Sequence, residues 1–576
     1  MKVSRYAKIL GMLLVVAVVA STLGVALTAT AAENEEKIVK VAMGDEVGTL
    51  NPFTYQTIYD YMIIDLIYDS LVRIKPDLSP TPWLAERWEI SSDGLVYTFY
   101  LVKNATWQDG TPLTAKDVAF TFNYILEHKF PRMGKIIDYV EKAEAVDDYT
   151  VKIYLKKPYA PFITEIATTK IVPEHIWKDI EDPINFRNEN PVGSGPFKQV
   201  EWVADQYHLL KAYDNYWKGR PKIDGILFKI IKLNDVAFMA LKKGEVDAMT
   251  WTVPYSSIEE AEKDPNIRIA LVMDPNVRYL AFNLKIYPLN IKEFRHAVAY
   301  AINRQAIVDT VLLGYGVPGH PGVIPPVLQY WYNPNVPQYP YNPEKAKQIL
   351  DSLGFIDRDG DGIRETPNGT KLEFDIIAMS TWTEMLRATE MIRDWLQQVG
   401  IKLNIVTMDF NTMVAKINNR EFELHTLGFR GGSADPDFWL SDLFHSRADK
   451  PGGFNFAGYH NPEFDQLCDQ QVQTPDPEKR RQIIFELQEI LAEDLPWIPL
   501  FHQKFAFAYR VDRFTGWVPM NTSQGVVSIW SFLSLQPVGE TTTTPAKGGI
   551  SGTTIAAIVL VIVVIAIGAF ILTRKK

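Results

Sequence analysis

The amino-acid sequence predicts a large α/β protein that is exported and anchored, and three observations carry this prediction. Strand and helix patterns alternate along the 576 residues. Residues 371–406 read as strand, helix and strand with short connections, which is typical of a parallel crossover unit. Long apolar runs stand near both ends, where targeting and anchoring segments are found. The roughly 500 residues between them are enough for two or three domains.

The first 32 residues have the composition of a secretory signal peptide. Three basic residues precede an apolar run at 9–27, and the small-residue stretch 29–32 follows it. A basic region, an apolar region and a small-residue cleavage site together define such a leader. We therefore predict export, with cleavage after Ala31 or Ala32.

The C-terminal residues predict a membrane anchor. The run from Ile555 to Leu572 contains no charged residue, and a basic tail at 574–576 follows it directly. A helix of that length approaches the roughly 30 Å of a bilayer core, and basic residues favour the cytoplasmic side. The Thr- and Gly-rich segment 538–553 cannot bury a core and is read as a stalk. The sequence thus predicts a cell-surface protein held by a transmembrane helix at 554–573.

The first part of the body contains three predicted strands and one helix. The strand patterns lie at 37–43, 150–155 and 226–231. The helix is predicted at 115–125, because Thr114 is a favourable N-terminal cap directly before it.

Later in the chain a helix is predicted at 344–353. Asn342 supplies its cap and Pro343 its first residue, a pairing typical of helix starts. Gly354 follows the last helical residue and is expected to end the helix.

The crossover unit follows this helix. Strands are predicted at 371–378 and 401–406, and the helix between them at 383–398 has apolar residues at helical spacing. Gly400 ends that helix. Parallel sheets of this kind bind ligands beyond the carboxyl ends of their strands.

Composition excludes one class of partner. The net charge is −10 and no run of Lys or Arg occurs away from the termini, which argues against nucleic acid. Cys468 is the single cysteine, so no internal disulfide can form and packing must stabilise the fold.

An enzyme is not expected. The sequence lacks a Gly-x-Ser-x-Gly elbow and a His-Glu-x-x-His helix. His425, His445 and His460 lie within reach of one another in sequence, but nothing places them as zinc ligands. Paired carboxylates require geometry to be judged, so a cell-surface hydrolase of polysaccharide or peptide stays an alternative. A structural cell-surface protein is the second alternative.

An acidic loop resembles the first half of a calcium-binding loop. Its carboxylates alternate with spacers and a glycine, but its twelfth residue is Asn368 and it joins a helix to a strand, so a calcium sensor is excluded. A structural calcium ion and a polar connector whose Asp-Gly pairs make turns both stay open. The predicted ligands are the side chains of Asp357, Asp359, Asp361 and Glu365 and the carbonyl of Ile363.

Five stretches, taken together and in order, resemble a known family. They are similar to the extracellular solute-binding proteins of the dipeptide/oligopeptide class, solute-binding family 5, which deliver ligands to ABC importers. The resemblance covers about residues 38–535. The stretches are 107–118 (WQDGTPLTAKDV), 191–197 (PVGSGPF), 213–221 (YDNYWKGRP), 244–247 (GEVD) and 294–304 (FRHAVAYAINR).

This resemblance implies a bilobed fold of the periplasmic-binding-protein type with an extra inserted subdomain. The glycines of the turn 193–195 suit a chain that crosses between subdomains, because glycine tolerates positive φ. The expected divisions are 1–32 signal peptide, 33–74 first part of lobe I, 75–185 inserted subdomain, 186–278 second part of lobe I, 279–504 lobe II, 505–537 last part of lobe I, 538–553 stalk, 554–573 transmembrane helix and 574–576 cytoplasmic tail.

The resemblance also bears on the ligand. Peptide-binding members pair the peptide's amino group with an Asp shortly before a Pro, and that place falls on Gly432 here, with Asp435 at a different offset. Oligosaccharide therefore stays open beside oligopeptide. Aromatic faces at Tyr55, Trp251 and Trp382 would stack on sugar rings, although each is also a natural core residue.

The predicted function is that of a substrate-binding receptor of an ABC importer. Arg430 could orient a polar ligand or serve as an ordinary ion-pair partner. The expected partners are the ligand, the permease subunits and the membrane. A monomer is expected. No cofactor is required, and the structural calcium ion stays an open alternative.

Overall fold

A computed structural model describes residues 36–430 and 434–539. The predicted signal peptide, the transmembrane helix at 554–573, the basic tail, nearly all of the stalk and Gly432 lie outside these residues. Within the described ranges, no helix combines the length and the apolar character needed to cross a bilayer.

Strands alternate with helices along the described chain. The strands are β1 Ile38–Met43, β2 Val72–Ile74, β3 Pro80–Pro82, β4 Ala85–Ile90, β5 Val96–Leu101, β6 Val140–Asp147, β7 Thr150–Leu155, β8 Phe197–Val203, β9 Tyr207–Ala212, β10 Gly225–Ile230, β11 Ala248–Thr252, β12 Ile267–Val272, β13 Asn276–Phe282, β14 Gly316–Pro318, β15 Glu373–Met379, β16 Lys402–Met408, β17 Leu424–Arg430, β18 Trp497–Gln503, β19 Phe505–Arg510, β20 Phe514–Thr515 and β21 Gln536–Pro537.

The helices predicted at 115–125, 344–353 and 383–398 are confirmed, and several others are present. The α-helices are Ile58–Ile67, Ala115–His128, Gly134–Tyr139, Glu174–Trp177, Asn234–Lys243, Ile258–Ala261, Lys292–Ala301, Arg304–Val311, Pro343–Ser352, Thr383–Gln398, Phe410–Asn418, Pro462–Val472, Pro477–Asp494 and Ile529–Ser534. Short 3-10 turns lie at Pro131–Met133, Tyr255–Ser257 and Ser446–Ala448, and π-helical turns at Phe162–Ile166 and Phe438–Asp442.

Two large sheets organise the described residues. The seven-stranded lobe I sheet has the order β12-β19-β11-β1-β10-β9-β8, and the six-stranded lobe II sheet has the order β14-β18-β13-β17-β15-β16. In the first, β1 runs parallel to β10 and β11, while its other pairs are antiparallel. The segment predicted as an insertion carries an antiparallel sheet of order β4-β5-β7-β6. The lobe boundaries themselves stay a prediction.

The predicted crossover unit is present in the lobe II sheet. β15 and β16 pair in parallel from Glu373 with Lys402 to Met379 with Met408. The connecting helix buries Met385, Ala388 and Ile392 against the sheet, as its helical spacing requires.

The two sheets are joined by adjacent crossing segments. β12 leads into β13 at Asp274–Asn276, and β18 leads into β19 at Gln503–Phe505. The Asn276 side chain binds both segments together: its Nδ2 donates to the carbonyl of Gln503 at 3.0 Å, and its Oδ1 accepts from the Gln503 amide at 2.9 Å. The space between the sheets lies beside these crossings.

The turn at 193–195 is glycine-rich for a reason other than the one predicted. Neither glycine has a positive φ. A Cβ on Gly193 would instead lie 1.9 Å from the carbonyl oxygen of Ile67, and one on Gly195 would lie 2.5 Å from that of Leu66. The Gly195 amide donates to the Ile67 carbonyl at 2.7 Å. Close backbone approach to the end of the first helix, rather than a left-handed turn, requires these glycines.

Candidate functional site

A cavity of about 770 Å³ lies between the two sheets. The loop before the first helix supplies one wall, through residues 55–58, and residues 434–442 of the opposite lobe supply another. Pro275, in one of the crossing segments, also lines it. We call this space the central cavity.

Two further cavities adjoin the central cavity. The apolar cavity, of about 550 Å³, shares Leu78, Thr164 and Ala434 with it. The arginine cavity, of about 390 Å³, shares Arg430 with it. The three together form one extended cleft, whose size and position suit a ligand held between two lobes.

A buried carboxylate fixes the aromatic wall of the central cavity. Asp60 accepts hydrogen bonds from the amides of Gln56 and Thr57 at 3.0 Å each and from the Gly48 amide at 2.7 Å. The Thr57 hydroxyl accepts from the Asp60 amide in return, which completes a capping box. The loop that carries Tyr55 is therefore held rigidly.

Tyr55 and Arg132 together present an aromatic ring and a cation to the central cavity. The Tyr55 ring lies 5.5 Å from that of Tyr61, and the Arg132 guanidinium lies 3.7 Å from its centroid. Stacking of this kind holds a long cationic side chain against a ring. All three residues line the central cavity.

Acidic residues meet a lysine on the other side of the central cavity. Lys135 Nζ lies 3.6 Å from Asp437 and 3.7 Å from Asp442. Glu165 accepts a hydrogen bond from the Tyr159 hydroxyl. Glu165 and Asp442 are carried by the two π-helical turns, a conformation often found at functional sites.

Glu165 has a strongly perturbed acidity. Burial raises its pKa to about 7, and the negative charge of Asp435 adds to that effect. Lys135 and the Tyr159 hydroxyl act in the opposite direction without cancelling it. The carboxyl is therefore near its midpoint of titration at neutral pH.

The apolar cavity is lined by hydrophobic side chains and closed at its base by an ion pair. Arg480 donates to both oxygens of Asp435, at 2.6 and 2.8 Å, and Thr164 donates to the same carboxylate at 3.2 Å. The side chains of this pair are 5 % and 2 % exposed. For Asp435 to anchor a ligand directly, this pair would have to open.

The arginine cavity combines two guanidinium groups with an indole. Arg430 Nε donates to Asp274 at 2.8 Å, and its guanidinium lies 3.6 Å from the ring centroid of Phe505. The Arg278 guanidinium lies 4.8 Å from the ring centroid of Trp382. Trp382 and both arginines line the cavity.

The structure thus brings four of the six residues predicted to bind ligand to the lining of the cleft. Tyr55, Trp382 and Arg430 line the cleft, and Asp435 lines its apolar cavity. Trp251 is not among the residues that line these three cavities. Its indole nitrogen donates to the Ile231 carbonyl at 3.1 Å. Gly432 lies outside the described residues.

Sequence reasoning missed most of the charged residues of the cleft. They are scattered along the chain, so no local pattern marks them. The residues are Arg132, Lys135, Glu165 and Asp442 of the central cavity, Arg278 and Glu384 of the arginine cavity, and Asp77 and Arg480 of the apolar cavity.

The acidic loop lies apart from the cleft lining. One carboxylate oxygen from each of its four acidic residues lies within 4.8 Å of the others, a geometry able to hold a cation. Lys371 nevertheless pairs with two of them, at 2.9 Å from Asp359 and in closer contact with Asp361. The Ile363 amide donates to Asp361 at 2.8 Å. A calcium ion would have to displace the lysine. The four acidic residues are Asp357, Asp359, Asp361 and Glu365.

Comparison with a family model identifies the central part of the chain. Residues 79–451 match the middle region of the bacterial extracellular solute-binding proteins, family 5. The glutathione-binding protein GsiB of Salmonella choleraesuis is 29% identical over 500 residues, covering 84% of this chain and 93% of its own. Heme-binding protein A of Haemophilus influenzae is 30% identical over 483 residues, covering 78% and 84%.

Solved structures show the same architecture. The oligopeptide-binding protein of Thermotoga maritima superposes with a TM-score of 0.75 at 29% identity, over 87% of this chain and 98% of that one. Its mannohexaose-bound form gives 0.67 at 28% identity, over 88% and 99%. The oligopeptide-binding protein AppA of Bacillus subtilis, in complex with a nonapeptide, gives 0.67 at 26% identity, over 87% and 98%. These likenesses support the bilobed binding-protein fold.

Proposed function

The chain belongs to the bacterial extracellular solute-binding proteins of family 5, and from this premise we propose that it is the receptor of an ABC importer for oligopeptides. As a member of a family of binding proteins it is not an enzyme. The hydrolase and structural-protein alternatives are set aside for the same reason.

The observation that carries the peptide proposal is the distribution of charge along the cleft. Glu165 and Asp442 line the central cavity beside Lys135, while Arg278 and Arg430 line the adjoining arginine cavity. A peptide with free ends is a zwitterion, so acidic and basic groups at separate places in the cleft suit its ammonium and its carboxylate. Glu165 or Asp442 would then pair with the peptide amino group, which Gly432 cannot do.

Oligosaccharide is the second candidate. The mannohexaose-bound structure of the Thermotoga maritima relative supports it, as do the aromatic rings in the cleft. Rings at Tyr55, Tyr61 and Trp382 are available for stacking against a sugar.

Calorimetric titration of the full-length protein against defined peptide and oligosaccharide sets separates the two candidates. We expect saturable peptide binding that weakens in Glu165→Gln. Tyr55→Ala and Trp382→Ala would weaken sugar binding, and Trp251→Ala is the matched aromatic control outside the cavities. Sugar binding without peptide binding would replace the first candidate by the second.

Export and anchoring complete the proposal. A leader at 1–32 and a transmembrane helix at 554–573 would place the binding domain at the cell surface next to its permease. Truncation before Gly539 should then release a folded, soluble domain. Retention of the truncated protein in the membrane fraction would contradict this arrangement.

A further inference from the structure

The arginine cavity contains a buried charge, Arg278, that forms no ion pair with any acidic residue in the described ranges 36–430 and 434–539. Arg278 is 3 % exposed. Its guanidinium donates to neutral acceptors, the Phe429 carbonyl at 2.9 Å, the Val277 carbonyl at 3.3 Å and Gln503 Oε1 at 3.4 Å. Its Nε has no hydrogen-bond partner among the described residues.

The neighbouring acids do not form that ion pair. Asp274 is engaged by Arg430 at 2.8 Å and by Ser523 at 3.3 Å. Glu384 lines the cavity, but among the described residues neither acid comes within ion-pair distance of Arg278. Burial lowers the pKa of Arg278 to about 10, which still leaves it charged at neutral pH.

The fold makes room for this side chain. A Cβ on Gly428, in the adjacent strand β17, would lie 2.4 Å from Arg278 Cδ. The Trp382 ring covers one side of the guanidinium at 4.8 Å. Arg278 lines the arginine cavity, and a planar guanidinium is suited to bind a planar anion through paired hydrogen bonds.

We propose that the arginine cavity is a subsite for a carboxylate of the ligand, bound by Arg278 beside Arg430. The proposal rests on the receptor function proposed above and specifies its ligand: a solute with an acidic end. A cavity of about 390 Å³ has room for the end of an extended molecule. The carboxylate could be the terminus of a peptide or the uronate of an acidic sugar.

The test compares matched probes on the full-length protein. Binding is measured by calorimetry for a tetrapeptide pool with free carboxyl ends, the same pool amidated, oligogalacturonate and neutral galacto-oligosaccharide. A charged hydrogen-bonded pair of this kind corresponds to roughly 10- to 100-fold in affinity. We expect the acidic member of one pair to bind the parent that much more tightly, and Arg278→Met to abolish the preference.

Two further variants separate loss of the subsite from a general folding defect. Arg278→Lys keeps the positive charge but loses the planar guanidinium, so it should retain part of the preference for the acidic probe. Arg268→Met, an exposed arginine on β12, should leave it unchanged. Preference in the peptide pair identifies a peptide carboxylate, and preference in the sugar pair identifies a uronate.

A direct titration with glutarate separates failure of the subsite from failure of the receptor proposal. Glutarate should raise the melting temperature of the parent above that in chloride of equal ionic strength, and not that of Arg278→Met. If none of the pools binds the parent, the receptor proposal fails and glutarate alone decides the subsite. The subsite proposal is overturned if Arg278→Met still prefers the acidic probes. It is also overturned if the parent shows neither that preference nor a response to glutarate.

Discussion

Glu165 gives the most quantitative prediction. Its ordinary pKa is near 4.5 and burial beside Asp435 raises it to about 7 in the folded protein. The folded state therefore holds the proton more tightly than the unfolded state does. The contribution of Glu165 to the free energy of unfolding is therefore greatest below about pH 4.5. It falls as the pH rises towards 7, and above that pH the loss is complete. The pKa difference of about 2.5 corresponds to about 3 kcal/mol of unfolding free energy.

Glu165→Gln removes the titration and keeps an oxygen that can accept from the Tyr159 hydroxyl. We expect the variant to match its parent near pH 4.5 and to be more stable by about 3 kcal/mol at pH 8. Urea midpoints and slopes at several pH values measure the difference in unfolding free energy between parent and variant. Glu181→Gln, at an exposed position, is the control for removing a carboxylate charge. A parent more stable than the variant at pH 8 would mean that Lys135 keeps the Glu165 carboxylate ionised, and this would contradict the raised pKa.

Three other predictions concern stability. Arg480→Met removes the arginine that donates to both oxygens of the buried Asp435 carboxylate, and it should cost about 3 kcal/mol in urea unfolding. Arg481→Met, next to it and more exposed, should change little, and equal effects of the two variants would contradict this. Gly193→Ala places a methyl group 1.9 Å from a carbonyl oxygen, so the melting temperature should fall sharply, and a near-neutral result would mean the turn can shift. If the acidic loop binds calcium, the ion should raise the parent's melting temperature and not that of Asp359→Ala; indifference of both to a chelator would identify a polar connector.

Local patterns predicted the regular elements well. The Thr114 cap, Gly354 and Gly400 after their helices and the parallel pairing around 383–398 are consequences of nearby residues, and the structure contains them. The reason for the glycines at 193–195 was predicted wrongly, because the carbonyl they approach is distant in sequence.

The cleft was only partly predictable. Aromatic residues in loops indicated Tyr55 and Trp382, both of which line it. Isolated charges gave no signal, because their role depends on long-range packing. Arg278 meets Gln503 only where two crossing segments come together, and Glu165 comes near Asp435 only because segments distant in sequence pack against each other.

The capture of a peptide between the two lobes is the core of the proposed function. It can be measured by calorimetry of the full-length protein with a defined oligopeptide pool, in parent and Glu165→Gln. We expect saturable binding by the parent, weaker binding by the variant, and loss of binding when the peptide amino ends are acetylated. Peptide binding that is absent in the parent, or unaffected by both changes, would contradict it.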